Sequence, residues 1–218
     1  MPSSSAAGVA ARYAGFCSRP VDQVAIDLDR FVELLRRWQE AQNLVSRETL
    51  AAVWDRHISD SLQLLRLLGP KDRHVLDLGS GGGFPALPLA IASLGSDRQF
   101  TLVESNHRKV AFLRTVAREL SLTVSVKSKR AEQIDSRETS SVDVVTSRAV
   151  ASLDTLCSLS ASLFTPSTRA IFHKGREYGE ELQQAHAKWD FDVVVIPSDT
   201  SADGVLLELR HLRAIASA

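Results

Sequence analysis

The sequence predicts an α/β fold in which a mostly parallel sheet of seven strands ends on an antiparallel C-terminal strand and is preceded by a helical cap. Three observations predict it. From Pro70 onward short apolar runs alternate with helix-length amphipathic segments, a glycine-rich turn separates the first run from the first helix, and the last two runs have no helix-length segment between them.

Taken in order, the elements begin with Asp22 to Gln42, where Val24, Leu28, Phe31, Leu35 and Trp38 recur three and four positions apart with charges between them, as in an amphipathic helix. A second such pattern runs through Leu50, Val53, Trp54, Ile58, Leu62 and Leu65 and ends near the Gly69-Pro70 breaker. These two helices make a cap over residues 21–70. Residues 1–20 are expected as a flexible tail, because Met1 to Ala11 is Ser/Ala-rich and lacks the basic start and long apolar stretch of a secretion signal. Strands are predicted at His74–Leu78, Phe100–Val103, Thr123–Val126, Val142–Thr146 and Arg169–His173. Helices are predicted at Pro85–Leu94, Asn106–Leu120 and Leu153–Leu163, and strands alternating with helices of that length are βαβ units with parallel strands. Phe191–Ile196 and Val205–Leu212 fit a hairpin better than a crossover, which places one antiparallel strand in the sheet. Residues 71–218 form the core, one structural unit with the cap.

Composition narrows the function. Of 218 residues, 44% are hydrophobic and 24% charged, as in an ordinary globular protein. Lys+Arg and Asp+Glu are both 26, so the net charge is zero, which excludes indiscriminate coating of nucleic acid or acidic membrane, since such binding needs a net positive field. The average conceals a segment. Between Arg108 and Arg130 seven basic residues face one acid, Glu119, whereas Asp22 to Asp60 holds eight acids against five basic residues. Cys17 and Cys157 stand far apart with no Cys-x-x-Cys pair and no neighbouring His, so neither a disulfide framework nor a metal site is expected. No apolar run reaches the ~18–20 residues of a membrane helix. The expectation is a cytoplasmic monomer, with no membrane partner.

The most informative segment is His74-Val-Leu-Asp-Leu-Gly-Ser-Gly-Gly-Gly-Phe-Pro85, which reads strand, turn, helix start. Gly79, Gly81, Gly82 and Gly83 let the backbone bend and approach a ligand, and the next helix offers unpaired N–H groups. A dinucleotide fingerprint requires a third glycine at position 84. Phe84 stands there instead, with Pro85 at the first helical turn, and its ring disfavours a pyrophosphate. Asp77 adds a carboxylate at the same strand end, which repels a phosphate and attracts an ammonium group. Together these favour S-adenosylmethionine, with S-adenosylhomocysteine as product, over NAD. Glu104 ends the second strand, where an acidic side chain accepts ribose hydroxyls, a device common to both cofactors. After the third strand Lys129-Arg-Ala-Glu132 offers an amide and a carboxylate for an adenine, and after the fourth Thr146-Ser-Arg148-Ala149 lies at the carboxyl edge where ligands of open α/β sheets sit. Without the glycine turn, Glu132 and Arg148 would read as an ordinary surface ion pair.

These residues match a known family. From about Phe31 to Leu212 the chain resembles the bacterial 16S ribosomal RNA guanine-N7 methyltransferases of the RsmG type, also called glucose-inhibited division protein B. The resemblance rests on Trp38-Gln-Glu-Ala-Gln-Asn43-Leu44, Arg56-His57-Ile-Ser-Asp60-Ser61, Asp77 to Pro85, Ser147-Arg148-Ala149 and His173-Lys174-Gly175. Many methyltransferases share the glycine segment, whereas Arg-His-x-x-Asp-Ser upstream of it is close to diagnostic. One departure is visible, Ala86 where the family usually has glycine after the proline. The resemblance implies a class I S-adenosylmethionine-dependent methyltransferase fold, Rossmann-like, with cofactor contacts at Gly79, Phe84, Ala131, Glu132 and Arg148. Asp77, Gly81 and Glu104 join them from the reading above. The implied partner is 16S rRNA, within a small ribosomal subunit or its assembly intermediate.

Guanine N7 carries an in-plane lone pair and no proton, so methyl transfer to it needs in-line approach and exclusion of water, and no catalytic acid or base is expected. Arg148 and Lys174, each just after a strand, are candidates for holding the guanine or a phosphate. His57, Asp60 and Asn43 follow from the cap, although His57 and Asp60, three apart on a helix, also fit a local structural pair. Arg108 and Lys109 open the basic segment, which reads either as a solvated helix face or as a phosphate-tracking surface. Two alternatives remain open: a related methyltransferase for another substrate, and a non-catalytic RNA-binding assembly factor.

Overall fold

The computed structural model describes residues 5–134 and 142–215. Helix α1 (Ala6–Arg12) is capped by Ser5, whose hydroxyl accepts from the amide of Gly8. Residues 1–4 of the expected flexible tail lie outside the described chain, but the next twelve do not behave as a tail. Val9, Ala10 and Tyr13 are buried among the residues of α2 (Val21–Gln39), and burying a side chain the size of Val9 stabilises the fold by ~1.5–3 kcal/mol, with less from the single methyl of Ala10. A run of small residues packs closely against a neighbouring helix, and the apolar periodicity of α1 is too short to show in the sequence.

On α2 the expected stripe is buried: Val24, Leu28, Phe31 and Leu35 face inward, and the helix stops at Gln39. The second cap helix is not continuous. It breaks into α3 (Arg47–Ala51), a wide π-helical turn (Trp54–Ser59), α4 (Asp60–Leu62) and a tight 3₁₀ turn (Gln63–Leu67). Its polar side chains explain why. His57, Ser59, Ser61 and Gln63 are all buried; Ser61 bonds back to the His57 carbonyl, while His57, Ser59 and Gln63 bond to different parts of the molecule, so the winding follows their partners and departs from the α period. The apolar count captured only the face that packs on the core.

The core strands are β1 (His74–Leu78), β2 (Gln99–Glu104), β3 (Val124–Ser128), β4 (Val144–Arg148), β5 (Arg169–Lys174), β6 (Trp189–Pro197) and β7 (Val205–Ala214). They form one sheet in the order β3-β2-β1-β4-β5-β7-β6. Strands β1 to β5 pair in parallel, and β7 runs antiparallel between β5 and β6, as the hairpin reading requires. Helices α5 (Ala86–Ser93) and α6 (His107–Glu119) cover one face together with the cap, and α7 (Leu153–Ser160) and α8 (Tyr178–His186) cover the other. Successive residues of β1 therefore serve two cores, Val75 packing with the cap side and Leu76 with the α7–α8 side. Helix α8 carries no clear stripe in the sequence, since Ala185 is its one fully buried residue. The parallel order leaves the carboxyl ends of β1 and β4 side by side at the centre of the sheet, under the cap.

Candidate active site

The glycine turn leaves β1 at Leu78 and reaches α5 through backbone that only glycine adopts easily: φ is +66° at Gly79 and +53° at Gly81. At Gly79 there is also no space, since a Cβ would stand 2.6 Å from Cγ2 of Val150. Gly81 is different. A Cβ there would meet nothing closer than the carbonyl oxygen of Gly79 at 3.7 Å, so its side opens into a cavity. Glu104, at the end of β2, accepts the Gly81 amide at 2.9 Å through Oε2 and the Asn106 amide at 2.7 Å through Oε1. One carboxylate thus ties the turn to the start of α6. From the cap, Gln39 folds the loop that follows α2: its Oε1 accepts the amides of Leu44 and Val45, and its Nε2 donates to the carbonyl of Val45. That loop lies on the glycine turn, with the Leu44 carbonyl oxygen 3.1 Å from where a Cβ on Gly82 would stand.

Asp77 lies beneath the turn, fully buried. Its Oδ1 accepts the Thr146 hydroxyl at 2.8 Å, and its Oδ2 has no partner among the described residues. Burial pushes its pKa up to about 7, and the nearby Glu104 adds to the rise. Burial thus favours the neutral carboxyl over the standing anion expected at this strand end, and a donor or cation brought against Oδ2 would favour the anion.

Arg148, the last residue of β4, joins core to cap. Its Nη1 donates to the carbonyl of Arg56 at 2.9 Å and to Oδ2 of Asp60 at 3.1 Å, while Nη2 donates to Nδ1 of His57 at 2.7 Å. An arginine only donates, so His57 carries its proton on Nε2, which donates to Oγ1 of Thr49 at 2.9 Å. Burial and the Arg148 charge lower the His57 pKa to about 4, so the ring is neutral. It stacks on Phe84 at 4.8 Å, and the Arg148 guanidinium lies 5.0 Å from the same ring. Asp60 also accepts from Gln63 and from Thr200, and its carbonyl accepts from Nε2 of His173 on β5. His57 and Asp60 are thus not a local pair. They converge on Arg148 from the cap.

A cavity of about 750 Å³ opens between these groups at the carboxyl edge of the sheet. One half is bordered by Gly79, Gly81, Gly82, Glu104 and Lys109, in front of β1 and β2. The other half lies in front of β4 and β5, bordered by Arg56, His57, Arg148 and His173 and by Ser198, Thr200 and Ser201 of the loop joining β6 to β7.

The sequence profile of the family described as rRNA small subunit methyltransferase G matches residues 25–204. The chain is 40% identical over 187 residues to a ribosomal RNA small subunit methyltransferase G of Cereibacter sphaeroides, covering 85% of this chain and 89% of that protein. It is 43% identical over 188 residues to the protein of that name in Rhodospirillum centenum, covering 85% and 84%. The chain belongs to the rRNA small subunit methyltransferase G family. Solved structures extend the likeness of fold beyond the methyltransferase G family. A Podospora anserina methyltransferase bound to S-adenosylhomocysteine superposes with a TM-score of 0.60 at 14% identity, covering 84% of this chain and 87% of that one. A S-adenosylmethionine-dependent methyltransferase of Aquifex aeolicus gives 0.56 at 16% identity, covering 80% and 98%. The sheet and its antiparallel strand are accordingly those of S-adenosylmethionine-dependent methyltransferases.

Within this methyltransferase G chain the remaining expected residues lie as follows. Lys109 borders the cavity, and Arg108 beside it is exposed. Lys174 borders it too, and its ammonium donates to the Ala151 carbonyl at 2.7 Å and to Glu181 at 2.6 Å, which ties α8 to the loop after β4. Asn43 is exposed on the loop after α2 and borders a smaller neighbouring hollow. Phe84 is buried, its ring packed on Phe31 and His57, so it builds the seam between cap and core. Ala131 and Glu132 form a short turn after β3, outside the cavity's lining. Sequence reasoning did not single out Gln39, Thr49, Arg56, His173 or Thr200. Three of the five, Gln39, Arg56 and His173, stand within the segments quoted for the resemblance, whereas Thr49 lies between two of them and Thr200 lies in the hairpin loop, which has no motif of its own.

Proposed function

We propose that the protein transfers the methyl group of S-adenosylmethionine to N7 of a guanine in 16S ribosomal RNA, acting in the cytoplasm as a monomer on the small subunit or an assembly intermediate. The observation that carries this reading is the two-part cavity, which puts a glycine turn and a cationic seam on either side of one space. The first half fits the cofactor: Gly81 leaves room for a ligand against the main chain and Glu104 can take ribose hydroxyls, while the buried, unpartnered Oδ2 of Asp77 lies beneath the turn, behind the cavity's lining. Gly79 shapes the turn, Ala131 and Glu132 stand at the next strand end outward, and Phe84 and Arg148 support the floor. When bound, the cofactor supplies an electrophilic methyl group already activated by its sulfonium charge.

The chain's own residues then orient the base and exclude water. No side chain is needed to remove a proton, because N7 has none. The seam agrees with this: His57 and Asp60, which could have served as bases, are occupied by Arg148. Asn43 and Arg108 are proposed to meet the RNA outside the cavity mouth, and Lys109 at its border. The cap (21–70) and the core (71–218) are proposed to act as one unit, supported by a single apolar cluster that includes Leu28 and Phe31 of the cap and Val75 and Leu113 of the core.

Transfer of labelled methyl to protein-free 16S RNA and to 30S particles, followed by mapping of the labelled base, tests the reading. Label on guanine N7 supports it, and label on an exocyclic amine or a ribose refutes it.

A further inference from the structure

Arg56 has no role in the seam beyond its carbonyl oxygen, yet its surroundings set it apart. It lies on the wide turn Trp54–Ser59, is exposed, and borders the half of the cavity in front of β4 and β5. Its main chain is held from both sides, the amide donating to the Ala52 carbonyl at 2.8 Å and the carbonyl accepting from Arg148 at 2.9 Å. Its guanidinium makes no hydrogen bond or ion pair among the described residues. Asp60, four residues further along the same stretch of the cap, is committed to Arg148, Gln63 and Thr200. A cation on a fixed stem beside a second cation, with no ion-pair partner of its own among the described residues, is a prepared site for an anion.

We propose that Arg56 binds a phosphodiester of the RNA strand at the mouth of this half and so positions the target nucleotide; the substrate class rests on the methyltransferase reading above. A phosphate is the better match than the base itself. The usual bidentate contact of arginine with guanine uses O6 and N7 together, and it would engage the very lone pair that has to attack the methyl group. A phosphate takes the same guanidinium fork and leaves N7 free. Lys109, bordering the other half of the cavity, offers a second cation to the same strand.

The test uses the full chain with Arg56→Ala and Arg56→Lys, since neither change removes the carbonyl that holds Arg148. Methyl transfer to 16S RNA, RNA binding across a salt series and calorimetric binding of S-adenosylmethionine are measured in parallel. Arg56→Ala is expected to raise KM for RNA roughly tenfold, leave kcat within about twofold and leave cofactor affinity unchanged. It should make the slope of log affinity against log salt shallower by about 0.7–0.9, the release expected for one phosphate contact. Arg56→Lys should recover most of the loss. An equal loss of cofactor affinity would overturn the proposal by making the anion the cofactor's carboxylate, and an unchanged salt slope or a fall in kcat at constant KM would overturn it as well. A wild-type protein that binds RNA but transfers no methyl overturns the activity reading alone, because the salt comparison still decides Arg56. One that binds no RNA overturns both.

Discussion

At Arg148 three acceptors from one short stretch of the cap, the Arg56 carbonyl, Asp60 and His57, meet a single planar guanidinium whose side chain is 15% exposed. A lysine keeps the charge but has no fork to reach all three at once. Arg148→Lys is therefore expected to destabilise the fold by ~2–3 kcal/mol, below the ~3–5 kcal/mol of breaking a buried pair outright because lysine keeps the charge, and urea unfolding checks it. A loss under about 0.5 kcal/mol would mean that the seam is held by apolar packing alone. Acid–base behaviour at the residue scale follows from two opposed groups. Asp77 is raised to about 7, so its share of stability is present at low pH and is lost as pH rises from about 4 through 7. His57 is lowered to about 4, so its share is present above its ordinary value and is lost as pH falls from about 6.5 to 4. Burial also lowers His173, which adds to the side of His57. Over pH 4 to 6.5 the carboxyl and the imidazoles offset one another. Asp77→Asn removes one side, so its ligand-free melting temperature should climb more steeply with pH across this window than that of the wild type. Superposed profiles would show that the Asp77 carboxyl does not titrate there.

At the scale of elements, the glycine turn separates two demands that a sequence pattern merges. Gly79 is confined by its φ and by Val150, whereas Gly81 is confined by its φ alone and its open side faces the proposed cofactor site. Alanine in left-handed backbone costs ~1–2 kcal/mol at either position, with a steric cost added only at Gly79. Gly79→Ala should accordingly lower stability more than Gly81→Ala, while both weaken S-adenosylmethionine binding. Calorimetry beside thermal unfolding separates the two, and equal stability losses would contradict the packing at Val150. The same contrast shows what was legible beforehand. The strands and the turn were readable because β1, β2, β4 and β5 are buried apolar runs bounded by glycine or charge, and the stripe on α2 was readable because it repeats over five turns. Helices α1 and α8 were not, since small residues in one and a single buried alanine in the other leave almost no periodic signal. The broken second cap helix was hidden for another reason: its form is set by bonds to Arg148, Tyr13 and Asp199, which lie far away in sequence. Among site residues, Asp77, Gly79, Gly81, Glu104 and Arg148 sit at strand ends, where topology announces them. Lys174 also sits at a strand end, but its partner Glu181 belongs to a helix the pattern did not reveal, so its ion pair could not be foreseen.

For the molecule as a whole, zero net charge and an RNA substrate are compatible only if charge is sorted by place. The basic segment supplies that sorting: Arg108, Lys109, Arg114 and Arg118 ride on α6 and Lys127 on β3, at the outer edge of the sheet beside the glycine half of the cavity. Part of this charge is already engaged. Arg118 lies 3.6 Å from Glu119, which also holds Arg30 of the cap, and Arg114 donates to the Val126 carbonyl. Arg108 is exposed, and Lys127 is half-buried on the edge strand. Neither side chain borders the cavity, so both can be reversed without touching the proposed cofactor site. Because the rest of the chain adds no positive field, attraction to RNA should depend on this face more steeply than in a basic protein. The double variant Arg108→Glu, Lys127→Glu is expected to weaken binding of 16S RNA by roughly ten- to a hundredfold near 50 mM salt, with the gap closing as salt rises and the Debye length shrinks. S-adenosylmethionine affinity measured on the same samples should not move. A penalty that persists at high salt would instead mean that the two residues shape the protein, and no penalty at low salt would place the RNA on another face.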